Sequence, residues 1–410
     1  MKKRMKEIIK NIYKYVDNKF YFKLLYLFVT LTFVTILKDV PVIKSLKYIV
    51  FAWAIILILF IIIDGYKRRK IYKFDIPLGT FIILTLIFNL FAYRSIENMR
   101  TWLVNLILFI IIFSVDVFRD KKILVKEMNI ITYFYAIIMF VASSISLIMR
   151  ASGKTIMIEG ILCIDTSGVF DNKNALGIAA AIAIVMCIYL NYIEKNNKLK
   201  VFWFGNIILQ TITMIESEGR SAYLIVIAVV YTFIFIYNKN KYIRTTIVAL
   251  PILVCTAVLE SGKINLERLT TERNNIWDSA IVVIKGHLFT GVGNSNLFEA
   301  VKNARIGWYV PMRDGGVHNI YVQIGTVNGI IALVLFLIFL GMILMFIVQH
   351  LDKLQRKEKL QMTTLTSIIV GILAVNLFES TLVYMVSFMS LIFWIYLGYL
   401  VSILDNKNID

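Results

Sequence analysis

Long apolar stretches alternate with short polar segments along the whole chain. A helix that crosses a bilayer needs about 20 mostly apolar residues, and twelve stretches come close to that length. The predicted spans are Phe22–Leu37, Tyr48–Ile63, Ile76–Tyr93, Thr101–Val117, Ile130–Met149, Leu176–Ile193, Val201–Ile215, Ser221–Tyr237, Ile243–Leu259, Ile320–Val348, Met362–Val383 and Tyr384–Leu404. The last two are nearly continuous, so a tight turn is expected between Glu379 and Tyr384, and eleven or thirteen spans also fit. The pattern predicts an all-α polytopic membrane protein with about twelve transmembrane helices and one long extracytoplasmic loop containing short helices.

The positive charges orient these spans. If both termini are cytoplasmic, the inner segments carry 27 Lys and Arg residues and the short outer loops carry nine. Cytoplasmic loops are normally enriched in Lys and Arg, so this three-fold bias supports that orientation. The predicted divisions are a basic cytoplasmic segment (1–21), nine spans (22–259), an outer loop (260–317), three spans (318–404) and a cytoplasmic tail (405–410).

Composition agrees with a membrane protein. Hydrophobic residues make up 59% of the chain and charged residues 17%, against about 25% charged residues in soluble domains. The net charge of +18 is mainly an orientation signal, and a nucleic-acid binder is excluded. The chain has only four prolines, so we expect few of the broken helices that many transporters use. The lysine-rich N-terminus is either a helix lying on the inner membrane surface or a frayed tail.

The outer loop and the span after it contain the residues that suggest chemistry. Apolar residues from Glu272 to Lys285 keep a helical period, which predicts an amphipathic helix on the membrane surface. The chain then turns through Gly291 and Gly293 and returns to the membrane at His318. His318 and Gly329 are eleven residues apart, so both can share one helical face.

Four segments resemble the core of the O-antigen ligase and O-antigen (capsular) polysaccharide polymerase family. They read RNNIWDSAIVVIKGHLFTGVGNSNLF (273–298), HNIYVQIGTVNG (318–329), GVFDNKNALG (168–177) and EGRSAYL (218–224). After Gly329 the ligase pattern continues Gly-x-x-Gly-Thr/Val, whereas this chain has Ala332 and Leu333. That difference favours a polymerase over a ligase.

The resemblance implies a glycosyltransferase in the bacterial cytoplasmic membrane. Its donor would be a glycan on undecaprenyl diphosphate and its acceptor a glycan hydroxyl, and a flippase and a chain-length regulator would be further partners. No cofactor and no metal are expected, because arginines can neutralise a departing diphosphate. Arg220 and Arg273 match the diphosphate-binding positions. A second role for Arg273 is an ion pair with Glu272 or Asp278.

His318 is the predicted general base, because a neutral imidazole can take the proton of the acceptor hydroxyl. Asn319 is placed to orient that ring or a sugar hydroxyl. Predicted supporting residues are Asn174, Gly291, Gly293, Arg313 and Gly329.

Each residue also has a simpler role. Asn174 would cap the following helix, and Arg220 would contact lipid head groups. Glu379 lies near the outer end of a span, where an ionisable group suggests a function, but a turn residue that faces water is the favoured interpretation.

Other functions remain open. A ligase would use the same reaction with a terminal acceptor such as lipid A core. A lipid-linked oligosaccharide flippase has no need of an outer loop with Arg and His, and a cell-wall glycan polymerase of the shape, elongation, division and sporulation type would lack the His-Asn-x9-Gly pattern.

Overall fold

The computed structural model describes residues 15–65, 70–153, 156–158, 161–163, 166–260, 270–305 and 316–407. Its α-helices are α1 (Lys19–Phe33), α2 (Pro41–Phe60), α3 (Asp75–Phe88), α4 (Ile96–Leu106), α5 (Lys121–Ala151), α6 (Lys173–Ile193), α7 (Asn197–Glu216), α8 (Tyr223–Tyr237), α9 (Lys241–Glu260), α10 (Arg273–Gly286), α11 (Leu297–Asn303), α12 (Ile320–Leu351), α13 (Arg356–Val375) and α14 (Phe388–Leu404). Short 3₁₀ turns lie at Ile36–Asp39 and Arg220–Ala222, and π-helical turns at Ile61–Gly65, Asn89–Tyr93 and Ile107–Ile112. One small antiparallel hairpin, β1 (Ile156–Ile158) and β2 (Ile161–Cys163), is the exception to the predicted all-α fold among the described residues.

The helices follow the apolar stretches of the sequence. Each of the twelve predicted spans overlaps an α-helix. Within the described residues, seven helices are long and apolar enough to cross a bilayer, and α14 is a shorter apolar helix. The chain is therefore a multi-pass helical membrane protein, whereas the number of twelve spans stays a prediction.

Burial separates central helices from peripheral ones. In the most apolar 18-residue stretch of α6, 72% of the residues are buried, against 17% in the helix that starts at Pro41. Alanines at 179, 180, 181 and 183 line α6, and small side chains let neighbouring membrane helices approach closely. Helix α6 packs against α5, α7 and α13, so its first residues lie at the end of a central helix.

Helix α12 is broken, although the sequence showed little sign of broken helices. Gly329 has φ 79° and ψ 173°, outside the helical region. Backbone groups of the loop after α10 take up the hydrogen bonds that the break leaves open: Val292 N–H donates to Thr326 C=O (3.0 Å), and Ile330 N–H donates to Leu288 C=O (2.8 Å). Non-helical backbone inside a membrane protein needs such partners.

The turn between α13 and α14 is longer than predicted. The spans were expected to meet at Val383 and Tyr384, but α13 ends at Val375 and α14 begins at Phe388. Side chains satisfy the backbone of this linker (residues 376–387): Asn376 Oδ1 accepts from Thr381 N–H (2.8 Å). Ser387 then caps α14 in a capping box with Ser390. A longer linker, buried for the most part and stabilised by polar side chains, therefore replaces the predicted tight turn.

Candidate active site

Four parts of the chain meet around the carboxylate of Glu379. Arg273 begins α10, His318 precedes α12, Asn174 lies in the first turn of α6, and Glu379 lies in the linker. The Glu379 side chain is 14% exposed. Three of the predicted site residues therefore converge on one largely buried acid.

Arg273 is held by the linker. Its guanidinium donates to the carbonyl of Phe378 and, at 3.3 Å, to Glu379 Oε1. Sequence reasoning also offered an ion pair with Glu272 or Asp278, but Asp278 pairs with Arg305 at 3.4 Å. Arg273 thus has a carboxylate partner from a distant segment.

His318 lies before the helix, not on it. Its φ is 52°, in the left-handed region, and the N-cap of α12 is Asn319. The prediction that His318 and Gly329 share a helical face is therefore wrong. The Nδ1 atom of His318 is buried without a hydrogen-bond partner and lies 3.6 Å from Glu379 Oε2.

Backbone hydrogen bonds fix His318 beside the linker. Asn319 N–H donates to Ser380 Oγ (3.0 Å), and Ile320 N–H donates to Asn376 C=O (3.0 Å). From the other side, the Trp277 indole N–H donates to Val317 C=O (3.0 Å). The position of the imidazole is thus set by the linker and by α10 together.

Asn319 has a structural function in addition to its predicted catalytic one. Its Oδ1 atom accepts from the N–H groups of Tyr321 (3.0 Å) and Val322 (3.1 Å) and so caps α12. The role of Asn319 in orienting His318 or a sugar stays a prediction.

Asn174 contacts Glu379 and lies beside the turn that carries Arg220. Asn174 Nδ2 donates to Glu379 Oε1 at 3.4 Å. It does not cap α6, because the N-cap is Asn172, whose Oδ1 accepts from Ala175 N–H (2.7 Å). A Cβ on Gly219 would lie 3.1 Å from Asn174 Cα, so the exposed Arg220 begins its turn directly beside α6.

More cationic groups surround this end of α6. Arg150 pairs with Glu216 and, at 3.7 Å, with Glu218, which also lies 3.7 Å from Lys173. The Arg150 Nη1 atom is buried without a hydrogen-bond partner. Arg150 and Lys173 are thus paired with acidic residues of the segment that leads to Arg220.

The three motif glycines, Gly291, Gly293 and Gly329, form the backbone contact between the outer loop and the broken helix α12. At Gly291 and Gly329 φ is positive, and a Cβ would overlap the backbone of Val327 and of Phe289, respectively. Gly293 N–H donates to Val327 C=O (2.9 Å). Only glycine permits this close contact between loop and broken helix.

The Tyr93 hydroxyl strengthens that contact. It donates to the carbonyls of Thr290 and, at 2.7 Å, Val327. No motif in the sequence connects Tyr93 with the outer loop.

Arg313, a predicted supporting residue, lies outside the described residues. Within the part of the chain that the structure describes, no group of three His, Cys, Asp or Glu residues could hold a metal. Metal independence stays a prediction.

Glu379 was not among the site residues predicted from the sequence. The polar run Glu379-Ser380-Thr381 interrupts an apolar stretch, and an ionisable residue at such a place is by default a functional candidate. Glu379 does lie in the connection between α13 and α14, but the prediction that it faces water is wrong, because the side chain is largely buried.

Comparison with known proteins agrees with the sequence motifs. Residues 205–337 match a protein family described as O-Antigen ligase. A relative from Haemophilus influenzae, described as an uncharacterized protein, is 26% identical over 195 residues, which is 41% of this chain and 48% of the relative. This chain thus spans about half of that relative's length. The family match confirms the predicted resemblance and contains Arg220, Arg273 and His318, but neither Asn174 nor Glu379.

Proposed function

Because residues 205–337 match the O-antigen ligase family, we propose that this protein is a glycosyltransferase of the bacterial cytoplasmic membrane. It transfers a glycan from undecaprenyl diphosphate to the hydroxyl of an acceptor glycan on the outer face of the membrane. Its product is a polysaccharide of O-antigen or capsule type, built by joining repeat units.

One observation carries this proposal. Arg273 and His318, the predicted diphosphate ligand and the predicted base, contact the two oxygens of the same carboxylate at 3.3 Å and 3.6 Å. Glycan transfer from a lipid diphosphate needs a cation for the leaving group close to a base for the nucleophile. Residues that are 45 positions apart in sequence satisfy this need together.

The reaction follows from these positions. The acceptor hydroxyl oxygen attacks the anomeric carbon of the donor glycan, and the bond from that carbon to the diphosphate oxygen breaks. Undecaprenyl diphosphate leaves with the bonding electron pair, and Arg273 and Arg220 neutralise its charge. The hydroxyl proton passes to His318. Since Nδ1 faces Glu379, Nε2 is the nitrogen that faces the acceptor.

Ala332 and Leu333 favour a polymerase over a ligase. The many Ile, Lys and Asn residues favour it too, because they are typical of an AT-rich genome and suggest a Gram-positive source, which has no lipid A as a ligase acceptor. A ligase that attaches the glycan to a terminal acceptor is the alternative within the same chemistry. A flippase is the alternative of a different class, because it would move the lipid-linked glycan without forming a glycosidic bond.

The test uses purified full-length protein with a lipid-linked oligosaccharide, and the measurement is product length on a gel. We expect a ladder of joined repeat units that persists in EDTA, because arginines supply the positive charge. The His318→Ala variant should insert into the membrane normally and lose about 10²- to 10⁴-fold in rate, the range for general acid–base catalysis.

Three other results would contradict parts of the proposal. A single addition to a separate acceptor would indicate a ligase, and transbilayer movement without new bonds would indicate a flippase. Loss of the ladder in EDTA would require a metal.

A further inference from the structure

We infer that Glu379 is a positioning residue that couples donor binding to the base: it pairs with Arg273 in the empty site and with His318 once the donor occupies Arg273. This inference rests on the proposed function and assigns a role to a residue outside the matched family segment.

The carboxylate of Glu379 is shared by three side chains. Glu379 Oε1 accepts from Arg273 Nη2 (3.3 Å) and from Asn174 Nδ2 (3.4 Å), while Oε2 lies 3.6 Å from His318 Nδ1. Glu379 and Arg273 are 14% and 16% exposed. Largely buried charges are stable only when paired, so the acid must hold one cationic or hydrogen-bonding partner at all times.

The contact between Glu379 and His318 is incomplete. A separation of 3.6 Å is too long for a hydrogen bond, and Nδ1 is buried without any partner. A buried polar group in that state is destabilising. The left-handed backbone of His318 (φ 52°) adds strain. The imidazole is thus held close to an acceptor that it does not yet reach.

The donor diphosphate competes with Glu379 for Arg273. A diphosphate carries more negative charge than one carboxylate and can accept two parallel hydrogen bonds from a guanidinium. A donor that reaches Arg273 therefore draws it away from Glu379. The freed carboxylate then accepts the Nδ1–H of His318, which fixes the tautomer in which Nε2 accepts the proton of the incoming hydroxyl.

The movement involves side chains alone. The backbones of the linker and of the His318 segment are joined by hydrogen bonds from Asn319 N–H to Ser380 Oγ and from Ile320 N–H to Asn376 C=O. A small rotation of the Glu379 and His318 side chains closes the gap while this frame stays fixed.

The Glu379→Gln variant tests the coupling through two effects of opposite sign. The neutral amide binds His318 less strongly than the carboxylate does. We therefore expect kcat to fall about 10- to 100-fold, less than the full effect of a general base. The same change removes the competitor of Arg273, so undecaprenyl diphosphate, used as an inhibitor, should bind as tightly or a few-fold more tightly. A purely structural role would weaken binding as well as kcat. Glu299→Gln, at an exposed glutamate of α11, is the matched control and should change neither value.

A double-mutant cycle completes the test. Because Glu379 acts through His318, Glu379→Gln should cost little in a His318→Ala background. Additive losses, weaker inhibitor binding or a normal kcat in Glu379→Gln would each overturn the inference. A fully active His318→Ala would instead overturn the base assignment itself, whereas an inactive His318→Ala with a normal Glu379→Gln would leave the proposed function intact.

Discussion

Arg273 and Arg220 occupy different surroundings, although the sequence predicts the same role for both. Arg273 is largely buried and bonded to the linker, whereas Arg220 is exposed at the start of its turn. A buried guanidinium has lost most of its water, so its replacement by a compact ammonium is more costly there. The two arginines should therefore differ in substitution experiments.

We expect Arg273→Lys to reduce the rate at least about tenfold, because lysine cannot bond to the linker and to a diphosphate with a planar fork. Arg220→Lys should have a smaller effect. Transfer rates of the purified variants provide the measurement. The control is Arg100→Lys, at an exposed arginine of α4 that is not one of the candidate site residues. Wild-type rates for Arg273→Lys would remove it from the donor site.

The sequence was sufficient to nominate Arg273 and His318 but not Glu379. The first two belong to motifs with a recognisable order and spacing. Glu379 acquires its meaning from contacts with residues 61 and 106 positions away, and no periodic pattern reveals contacts of that range.

At the scale of elements, hydropathy predicted the helices well because a bilayer leaves the backbone few alternatives. Every predicted span overlaps a helix. The break in α12 and the linker before α14 were not predictable in the same way, because each depends on partners elsewhere in the chain. Residues 288–293 satisfy the broken backbone at Gly329, and nothing in the apolar run around that glycine indicates the partner.

Gly329→Ala tests whether the break is required. Its positive φ and its contact with the Phe289 carbonyl leave no room for a methyl group, and the strain should cost about 1–3 kcal/mol or more. Gly341→Ala, in the same helix with open space around it, should be neutral or slightly stabilising. Thermal midpoints in detergent provide the comparison. Equal midpoints for the two variants would mean that the loop tolerates displacement.

At the scale of the whole molecule, the ion pairs separate into two groups that match the predicted sides of the membrane. Pairs between segments predicted to be inside are Lys70–Asp405, Lys121–Glu358 and Arg244–Asp352. Pairs between segments predicted to be outside are Arg150–Glu216, Lys173–Glu218 and Arg273–Glu379. Among the described ion pairs, none joins the two groups. This separation supports the predicted topology and places Glu379 with the outer segments.

Cysteine labelling determines which end faces outward. In a background without native cysteines, Lys302→Cys on α11 should react with a membrane-impermeant maleimide in intact cells. Lys198→Cys at the start of α7 should react only after lysis. Both lysines are exposed, so access to the reagent depends on the side of the membrane. Reversed labelling would place the site in the cytoplasm and contradict the transferase proposal.

The contact between the outer loop and α12 also limits how this protein can exchange parts with its relatives. Loop residues 288–293 and helix residues 326–330 share backbone hydrogen bonds, so neither surface is complete alone. A chimera with a crossover between them would join a loop from one parent to a helix from another. Tyr93, which bonds to both pieces, extends the same dependence to the N-terminal half. We therefore expect chimeras to keep this contact when the three segments are inherited from one parent as a single block.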